Sequence, residues 1–181
     1  MGIGVIVCGL NGAGKSTLGR ALAVRLNWPL IDAEDLFFPQ TGPDNPYASP
    51  RTRSEAGRLL LRETAAHERF VFASVKGDYG EAASSLFRYA VLVSAPREIR
   101  MRRVRDRSFQ KWGERVLPGG DLYEQEERFF ALVQSRVEDT VEDWVQTLRC
   151  PVLRVDGTRA VEENAALIAG RLAGQPWLYR P

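Results

Sequence analysis

The stretch GLNGAGKST, residues 9–17, follows directly on the apolar run IGVIVC, residues 3–8. It fits the spacing Gly-x-x-x-x-Gly-Lys-Ser/Thr, whose fixed positions fall on Gly9, Gly14, Lys15 and Ser16. Glycines let the backbone curl so that successive N–H groups point inward, and the positive amino-terminal end of a following helix adds to the same field. An apolar strand, this turn and a helix in that order predict a cradle for a polyphosphate.

Two side chains of this stretch carry distinct chemistry. Lys15 is placed to reach the β- and γ-phosphates of a nucleoside triphosphate, and the Ser16 hydroxyl is a ligand for Mg²⁺. An accidental glycine-rich turn is the alternative, but a strand and a helix flank the match as the motif requires. We therefore expect a nucleoside triphosphate and Mg²⁺ to bind here. The expected nucleotide-binding residues of the stretch are Gly9, Asn11, Gly12, Ala13, Gly14, Lys15, Ser16 and Thr17.

Length and composition favour one soluble domain. The chain has 181 residues, 44% of them hydrophobic, which is enough for one core and short for two, so we expect a single domain over residues 1–181. The net charge of +2 gives no uniformly basic surface for nucleic acid. No stretch has the length and apolarity of a membrane span, no signal peptide is visible, and the two cysteines suggest a reducing compartment. The prediction is a cytoplasmic protein that binds neither nucleic acid nor membranes.

Short apolar runs alternate with helical segments, which favours an α/β fold around a mostly parallel sheet. The five predicted strands are residues 4–8, 29–31, 70–74, 90–94 and 152–155. The predicted helices are residues 15–26, about 54–67, about 96–107, about 122–148 and 160–172. A stripe of apolar residues at three- and four-residue steps predicts the long helix. Asp121 and Glu124 resemble a capping box at its start. Residues 38–53 and 108–120 are predicted to be irregular, as lids and binding loops are.

The likeness to known proteins extends beyond the cradle. GLNGAGKSTLGRALAVRL, residues 9–26, followed by PLIDAEDLF, residues 29–37, resembles the opening of small P-loop kinases, the group that contains adenylate, shikimate and gluconate kinases. The resemblance implies a P-loop NTPase three-layer sandwich with a mostly parallel five-stranded sheet. It also implies a substrate-side segment at about 38–69, a lid at about 108–120, and an ATP-dependent phosphotransferase that acts on a small-molecule acceptor.

The same resemblance singles out residues late in the chain. In this group the helix after the fourth strand carries Arg-x-x-x-Arg, and residues 90–107, AVLVSAPREIRMRRVRDR, place Arg103 and Arg107 at that spacing. A guanidinium stays charged and binds phosphate oxygens through two hydrogen bonds, so both are candidate catalytic residues. The alternative is that this run of arginines is the solvated face of a helix. The group also places the connection after its last strand beside the adenine, which makes Gly157 and Thr158 candidates, with a helix N-cap as the alternative for Thr158.

Acidic candidates cluster after the second strand. Asp32 lies nearest the strand and is a candidate both for a metal ligand and for the base that activates an acceptor hydroxyl; the alternative is that it caps the next segment. Ser74 stands where the third strand of such kinases carries a Walker B carboxylate, and Asp78 comes four residues later. Asp32 is therefore the expected principal acid. The shikimate-kinase pattern of a second aspartate two residues after the first is replaced here by Glu34.

The acceptor site is expected near residues 45–58, NPYASPRTRSEAGR, where small P-loop kinases present an arginine to an anionic group of the acceptor. Three arginines lie there, and the sequence does not distinguish between them: Arg51, Arg53 and Arg58. Two other functions stay open. One is a nucleoside monophosphate kinase, and the other is a nucleotide-binding regulatory module without transfer chemistry, which the missing Walker B carboxylate favours.

Overall fold

The apolar run before the phosphate cradle forms the central strand of the sheet. The structure is a computed structural model that describes residues 2–38, 50–175 and 177. In β1 (Ile3–Cys8), Val5 and Val7 pack against one layer of helices and Ile6 and Cys8 against the other, because successive side chains of a strand point to opposite faces. All four side chains are fully buried, which explains why the strand is apolar without alternation.

The described residues contain five strands and eight α-helices. The other strands are β2 (Leu30–Asp32), β3 (Arg69–Ser74), β4 (Phe87–Ser94) and β5 (Val152–Asp156). The helices are α1 (Lys15–Leu26), α2 (Ala33–Phe37), α3 (Arg53–Ala65), α4 (Glu81–Ser84), α5 (Arg97–Trp112), α6 (Tyr123–Gln134), α7 (Thr140–Gln146) and α8 (Val161–Ala173). A 3₁₀ turn, Gly113–Val116, follows α5.

The strands are parallel and lie in the order β2-β3-β1-β4-β5. Helices α1 and α8 cover one face, where Leu22 and Ile168 are fully buried, and α2, α3, α4 and α7 contribute buried side chains to the other. This is the predicted α/β three-layer sandwich, and all five predicted strands are confirmed. Because the strands run in one direction, their carboxyl ends meet at one edge, where open parallel sheets bind ligands.

The predicted long helix over residues 122–148 is wrong. It is two helices, α6 and α7, separated by residues 135–139. The apolar stripe that predicted it is broken at Val137, which is 66% exposed, because its two halves pack against different partners. Phe130 and Val133 pack with Val104 of α5, whereas α7 packs under the sheet.

Two further local expectations need correction. The capping box of Asp121 and Glu124 is absent, since α6 begins after Leu122 without a side-chain cap and Asp121 instead binds the Arg115 guanidinium at 3.0 and 2.7 Å. Helix α5 continues to Trp112, so the first five residues of the segment predicted to be irregular at 108–120 are helical. Ser108 is buried there and donates a hydrogen bond to Glu126, which ties α5 to α6. Most of the other irregular segment, residues 39–49, lies outside the described residues.

Candidate active site

The phosphate cradle connects β1 to α1 and has the backbone that its glycines predict. The φ angles of Gly9, Gly12 and Gly14 are +154°, +80° and +103°, values that disfavour any residue with a side chain. A Cβ atom on Gly12 would lie 2.2 Å from the carbonyl oxygen of Arg100, and one on Gly9 would lie 2.4 Å from that of Val93. The loop is thus held against β4 and α5 with no room for other residues at these two positions.

The amino-terminal end of α1 is open to an anion. Gly14 is its N-cap and has no side chain to accept hydrogen bonds from the first turn, which leaves those N–H groups and the helix dipole available. Lys15, the first residue of the helix, is only 9% exposed. Burial lowers the pKa of Lys15, the nearby carboxylate of Glu34 opposes that shift, and the positive charge of Arg107 adds to it. A buried lysine at an uncapped helix start is the arrangement that a polyphosphate would stabilise.

Two acids, Glu34 and Asp32, act electrostatically on this lysine. Asp32 ends β2, and its Oδ1 accepts a hydrogen bond of 3.0 Å from the Glu34 backbone N–H, so it is the N-cap of α2. Its negative charge nevertheless raises the pKa of Lys15, which burial lowers more strongly. Asp32 therefore caps α2, and its charge also acts on Lys15 in the phosphate cradle. The two roles are compatible because capping occupies only one of the two carboxylate oxygens.

Both candidate arginines of α5 lie at the same edge of the sheet. Arg103 Nη1 donates to the carbonyl oxygens of Gly12 and Ala13 at 3.3 and 3.5 Å, so it contacts the cradle directly. Arg107 lies one turn further on, half-exposed, and its Nη1 is 3.5 Å from Oε1 of Glu34. The predicted spacing thus places both guanidinium groups near the phosphate cradle.

The connection after β5 also contacts the cradle. A Cβ atom on Gly157 would lie 2.2 Å from the carbonyl oxygen of Ala13, and the Gly157 N–H donates to Ser94 at 2.7 Å. Thr158 is not a helix N-cap, because α8 begins after Ala160; instead its N–H and Oγ1 both donate to Oδ1 of Asp156, at 2.8 and 2.7 Å. These hydrogen bonds fix the loop and hold the pKa of Asp156 below its usual range.

The three candidate substrate arginines bind three different partners. Arg51 Nη1 donates to the carbonyl oxygens of Leu36 and Asp35 at 2.9 and 3.4 Å, which supports the end of α2. Arg53 pairs with Asp78 at 2.5 Å, and Arg58 donates to Ser54 within α3 at 3.1 Å. The structure gives Arg51 a local structural contact and places Arg53 against the loop that follows β3.

Ser74, at the Walker B position, has a structural role. It is buried, and its Oγ donates to the carbonyl oxygen of Lys76 at 2.7 Å and shares a hydrogen bond of 2.8 Å with the Tyr79 hydroxyl. Asp78 lies farther out and pairs with Arg53 and with Lys76, the latter at 3.4 Å. Among the described residues no carboxylate therefore occupies the end of β3, and the acids whose charge acts on Lys15 are Glu34 and, more weakly, Asp32 on the neighbouring strand.

Sequence reasoning missed Arg100 as an individual residue. It is 3% exposed, and its guanidinium donates to Ala95 and Asn11 carbonyl oxygens at 3.1 and 3.5 Å and pairs with Glu138. A signal was present, because Arg100, Arg103 and Arg107 follow the i, i+3, i+7 spacing that puts residues on one face of a helix. That face lies against the cradle.

Neither a metal-binding cluster nor a membrane-spanning helix occurs among the described residues. Residues 2–38, 50–175 and 177 contain no group of three or more His, Cys, Asp or Glu side chains arranged to hold a metal ion. No helix among the described residues has the length and apolarity needed to cross a bilayer.

Comparison with known proteins places these features in one family. The sequence profile of the family described as Shikimate kinase matches residues 11–109, more than half of the chain. The protein named "Uncharacterized protein YqaC" of Bacillus subtilis (strain 168) is 30% identical over 166 residues, which cover 87% of this chain and 90% of that protein. A shikimate kinase of Corynebacterium efficiens is 43% identical over 63 residues, 35% of each chain.

A comparison of structures agrees on the fold. The shikimate kinase from Acinetobacter baumannii in complex with shikimate superposes with a TM-score of 0.56 over 96% of this chain and 94% of that one. The two sequences are 15% identical over this alignment, so the superposition supports a shared fold.

Proposed function

Since the chain belongs to the shikimate kinase family and is an ATP-dependent kinase of small molecules, we propose that it transfers the γ-phosphoryl group of ATP to a hydroxyl group of a small metabolite with the help of Mg²⁺. One observation carries the proposal. The buried Lys15 begins an uncapped helix, the charges of Glu34, Arg107 and Asp32 act on it from other elements, and Arg103 donates to the Gly12 carbonyl oxygen of the same loop. Phosphoryl transfer needs little else from a protein than such positioning and charge.

The residues present fit ATP. Gly9, Gly12 and Gly14 have the backbone angles of a loop that turns its N–H groups toward phosphates, and Gly14 leaves the helix start without a side-chain cap. The negative charge of the phosphates would offset the cost of burying the Lys15 ammonium group. Gly157 and Thr158 are the proposed residues beside the adenine, because their loop is fixed against the cradle.

We assign roles to side chains as follows. Lys15 binds the β- and γ-phosphates, and Arg103 and Arg107 follow the charge that develops on the moving group. Asp32 accepts the proton of the acceptor hydroxyl. The hydroxyl oxygen of the acceptor then forms a bond to the γ-phosphorus of ATP while the bond between that phosphorus and the ADP oxygen breaks. Ser16 and Asp32 would hold Mg²⁺, which when bound offsets charge on the phosphates. The products are ADP and the phosphorylated acceptor.

The acceptor is proposed to bind between α2, the start of α3 and the loop after β3. Arg53, Lys76 and Asp78 form an ion-pair cluster there, with Nη1–Oδ2 and Nζ–Oδ2 distances of 2.5 and 3.4 Å. Each of the three side chains is partly exposed. A polar phosphoryl acceptor can therefore reach them and replace these ion pairs with hydrogen bonds to itself. The segment at about 113–120 is the proposed lid over this site.

A screen of Mg²⁺-dependent ADP formation tests the proposal. The panel contains shikimate, gluconate and the nucleoside monophosphates, and the control is the Lys15→Met variant purified in the same way, which reports any contaminating kinase. Acceptor-dependent ADP formation by the parent protein alone supports the kinase and names its acceptor. Tight ATP binding without transfer to any hydroxylated metabolite would support a regulatory module instead.

A further inference from the structure

The guanidinium of Arg100 in α5 contacts three separate parts of the chain. The residue is 3% exposed, and each of its three side-chain nitrogen atoms has a partner. Nε donates to the carbonyl oxygen of Ala95 after β4 at 3.1 Å, and Nη2 pairs with the carboxylate of Glu138. Nη1 lies 3.5 Å from the carbonyl oxygen of Asn11 in the phosphate cradle. Because every nitrogen is engaged and Glu138 balances the charge, Arg100 is suited to holding protein groups rather than a ligand.

The contact with Asn11 is made at a peptide unit whose orientation matters for the cradle. The peptide units of the cradle are trans, and in a trans peptide the C=O and N–H groups point in opposite directions. The carbonyl oxygen of Asn11 faces Arg100, so the N–H of Gly12, which belongs to the same unit, points away from that guanidinium. Within residues 2–38, 50–175 and 177, the Gly12 N–H donates no hydrogen bond. It is therefore available to a ligand.

Arg103 makes the matching contact two residues further along the cradle. Its Nη1 lies 3.5 Å from the carbonyl oxygen of Ala13, so the N–H of Gly14, in the same peptide unit, points away from Arg103. The intervening N–H, that of Ala13, is used within the loop, since it donates to the carbonyl oxygen of Leu10 at 3.1 Å. Two arginines of one helix thus orient alternate peptide units, and the donors that this leaves available are the N–H groups of Gly12 and Gly14.

No other hydrogen bond within the described residues fixes the Asn11 peptide unit. The Oδ1 atom of the Asn11 side chain is buried and has no hydrogen-bond partner there. Gly12, with a φ of +80° and no side chain, leaves this unit wide conformational freedom. A distance of 3.5 Å is long for a hydrogen bond, but a charged guanidinium still attracts the negative end of a carbonyl at that distance. The orientation of the Gly12 N–H therefore depends on Arg100.

We propose that Arg100 is a positioning residue for phosphate binding, which acts by keeping the Gly12 N–H turned toward the phosphates of ATP. The inference rests on the proposed function, since it needs a polyphosphate in the cradle. Glu138 keeps the buried guanidinium paired, so Arg100 stays with the Asn11 carbonyl oxygen when a negatively charged ligand binds. Arg100 thus acts through the backbone of the cradle, without touching ATP.

Affinity measurements on the full chain test this role first. Calorimetry measures binding of a non-hydrolysable ATP analogue and of inorganic tripolyphosphate, both with Mg²⁺. Loss of one oriented donor to a charged ligand predicts that Arg100→Gln weakens binding of both by roughly ten- to a hundredfold. Arg100→Lys keeps a cation near the Asn11 carbonyl oxygen and loses less. Arg102→Gln, which changes an exposed arginine of the same helix, is the matched control and leaves both affinities unchanged.

The backbone amide resonances of Gly12 and Gly14 provide a measurement that a merely structural role would not change selectively. In the parent protein, saturating ATP analogue shifts both amide protons downfield, because each N–H gains a hydrogen bond to phosphate. In Arg100→Gln the downfield shift of Gly12 is lost, while that of Gly14, whose peptide unit is held by Arg103, remains. Loss of both shifts together, with a lower melting temperature, would show that Arg100 only supports the packing.

Three further results would overturn the inference. The first is a parent protein that binds the ATP analogue without a downfield shift of Gly12, a result that stands even if the Arg100 variants fail to fold. The second is unchanged affinity in folded Arg100→Gln. The third is weaker binding of the ATP analogue alone, because tripolyphosphate has no nucleoside and tests only the phosphate contacts. A parent protein that binds neither probe would instead overturn the proposed function, and the inference with it.

Discussion

The guanidinium of Arg107 in α5 lies 3.5 Å from the carboxylate of Glu34 in α2, next to the buried Lys15. Both side chains are about half exposed, at 51% and 56%, so the pair contributes only about 0–1 kcal/mol to stability. A contact that weak is readily exchanged for a stronger one between Arg107 and a phosphate. We therefore expect both ligand binding and lid movement to change this contact between Arg107 and Glu34.

Replacement of Lys15 by alanine is expected to lower phosphoryl transfer by roughly a hundred- to a thousandfold, because it removes a preorganised charge at the developing phosphate. The fold should survive, since the ammonium group contributes no hydrogen bond to another described residue and its burial is unfavourable without an anion. Steady-state rates and circular dichroism check both parts. Lys111→Ala, an exposed lysine at the end of α5, is the control and should retain the parent rate.

Asp32→Asn separates capping from chemistry. Asparagine caps helices as well as aspartate does, so the bond to the Glu34 N–H and the thermal stability should be preserved. Transfer should slow by roughly a hundredfold or more if Asp32 is the base, and the dependence on Mg²⁺ should weaken. A Mg²⁺ titration of the rate provides the measurement. Unchanged rates would leave Asp32 with its capping role alone.

Of the segment 108–120, only residues 113–120 are expected to change their hydrogen-exchange protection when ligands bind. Ser108 is buried and bonded to Glu126 within helical structure, so amides 108–112 should be protected from hydrogen exchange without ligands. Residues 113–120 should gain protection with ATP and acceptor together, more than with ATP alone, because closure excludes water from the reacting group. Arg107→Ala should reduce that gain, while the cradle, which the substitution does not touch, should still bind nucleotide. Full protection of residues 113–120 in the empty protein would end the lid hypothesis.

A comparison of two glycines tests the packing of the cradle. Gly12→Ala puts a Cβ atom 2.2 Å from the Arg100 carbonyl oxygen at a φ of +80°, and the backbone conformation alone should cost roughly 1–3 kcal/mol. Gly170→Ala in α8, where a Cβ atom meets nothing within 4 Å, should instead stabilise the protein by up to about 1 kcal/mol. Urea unfolding of both variants measures the difference. Similar stabilities would mean that the cradle relaxes around Gly12.

Stability at alkaline pH should depend on Cys8. Burial raises the pKa of this thiol from 9.0 to about 12, so between these values the unfolded chain loses the proton while the folded chain keeps it. Folding is then opposed increasingly as the pH rises, by up to about 1.4 kcal/mol per pH unit. The free energy of unfolding should fall less steeply above pH 9 in Cys8→Ala than in the parent. If the free energy of unfolding falls with pH equally steeply in both proteins, the pKa of the Cys8 thiol is not raised by folding.

The sequence determined the parts that depend on local spacing. The Gly-x-x-x-x-Gly-Lys-Ser motif behind an apolar run defined the cradle, and apolar runs without alternation defined five strands, because backbone sterics and burial act over a few residues. The Arg-x-x-x-Arg spacing placed Arg103 and Arg107 on one helix face for the same reason.

Only the tertiary structure decided what depends on partners distant in the chain. The stripe from Phe130 to Leu148 has one helical period, but its two halves pack against different surfaces, so the helix breaks at residues 135–139. Arg100 and Arg105 look alike in the sequence, yet one is buried against Asn11 and Glu138 and the other is exposed. Periodicity records that a face is apolar or charged; which neighbour covers that face is set by packing and charge in three dimensions.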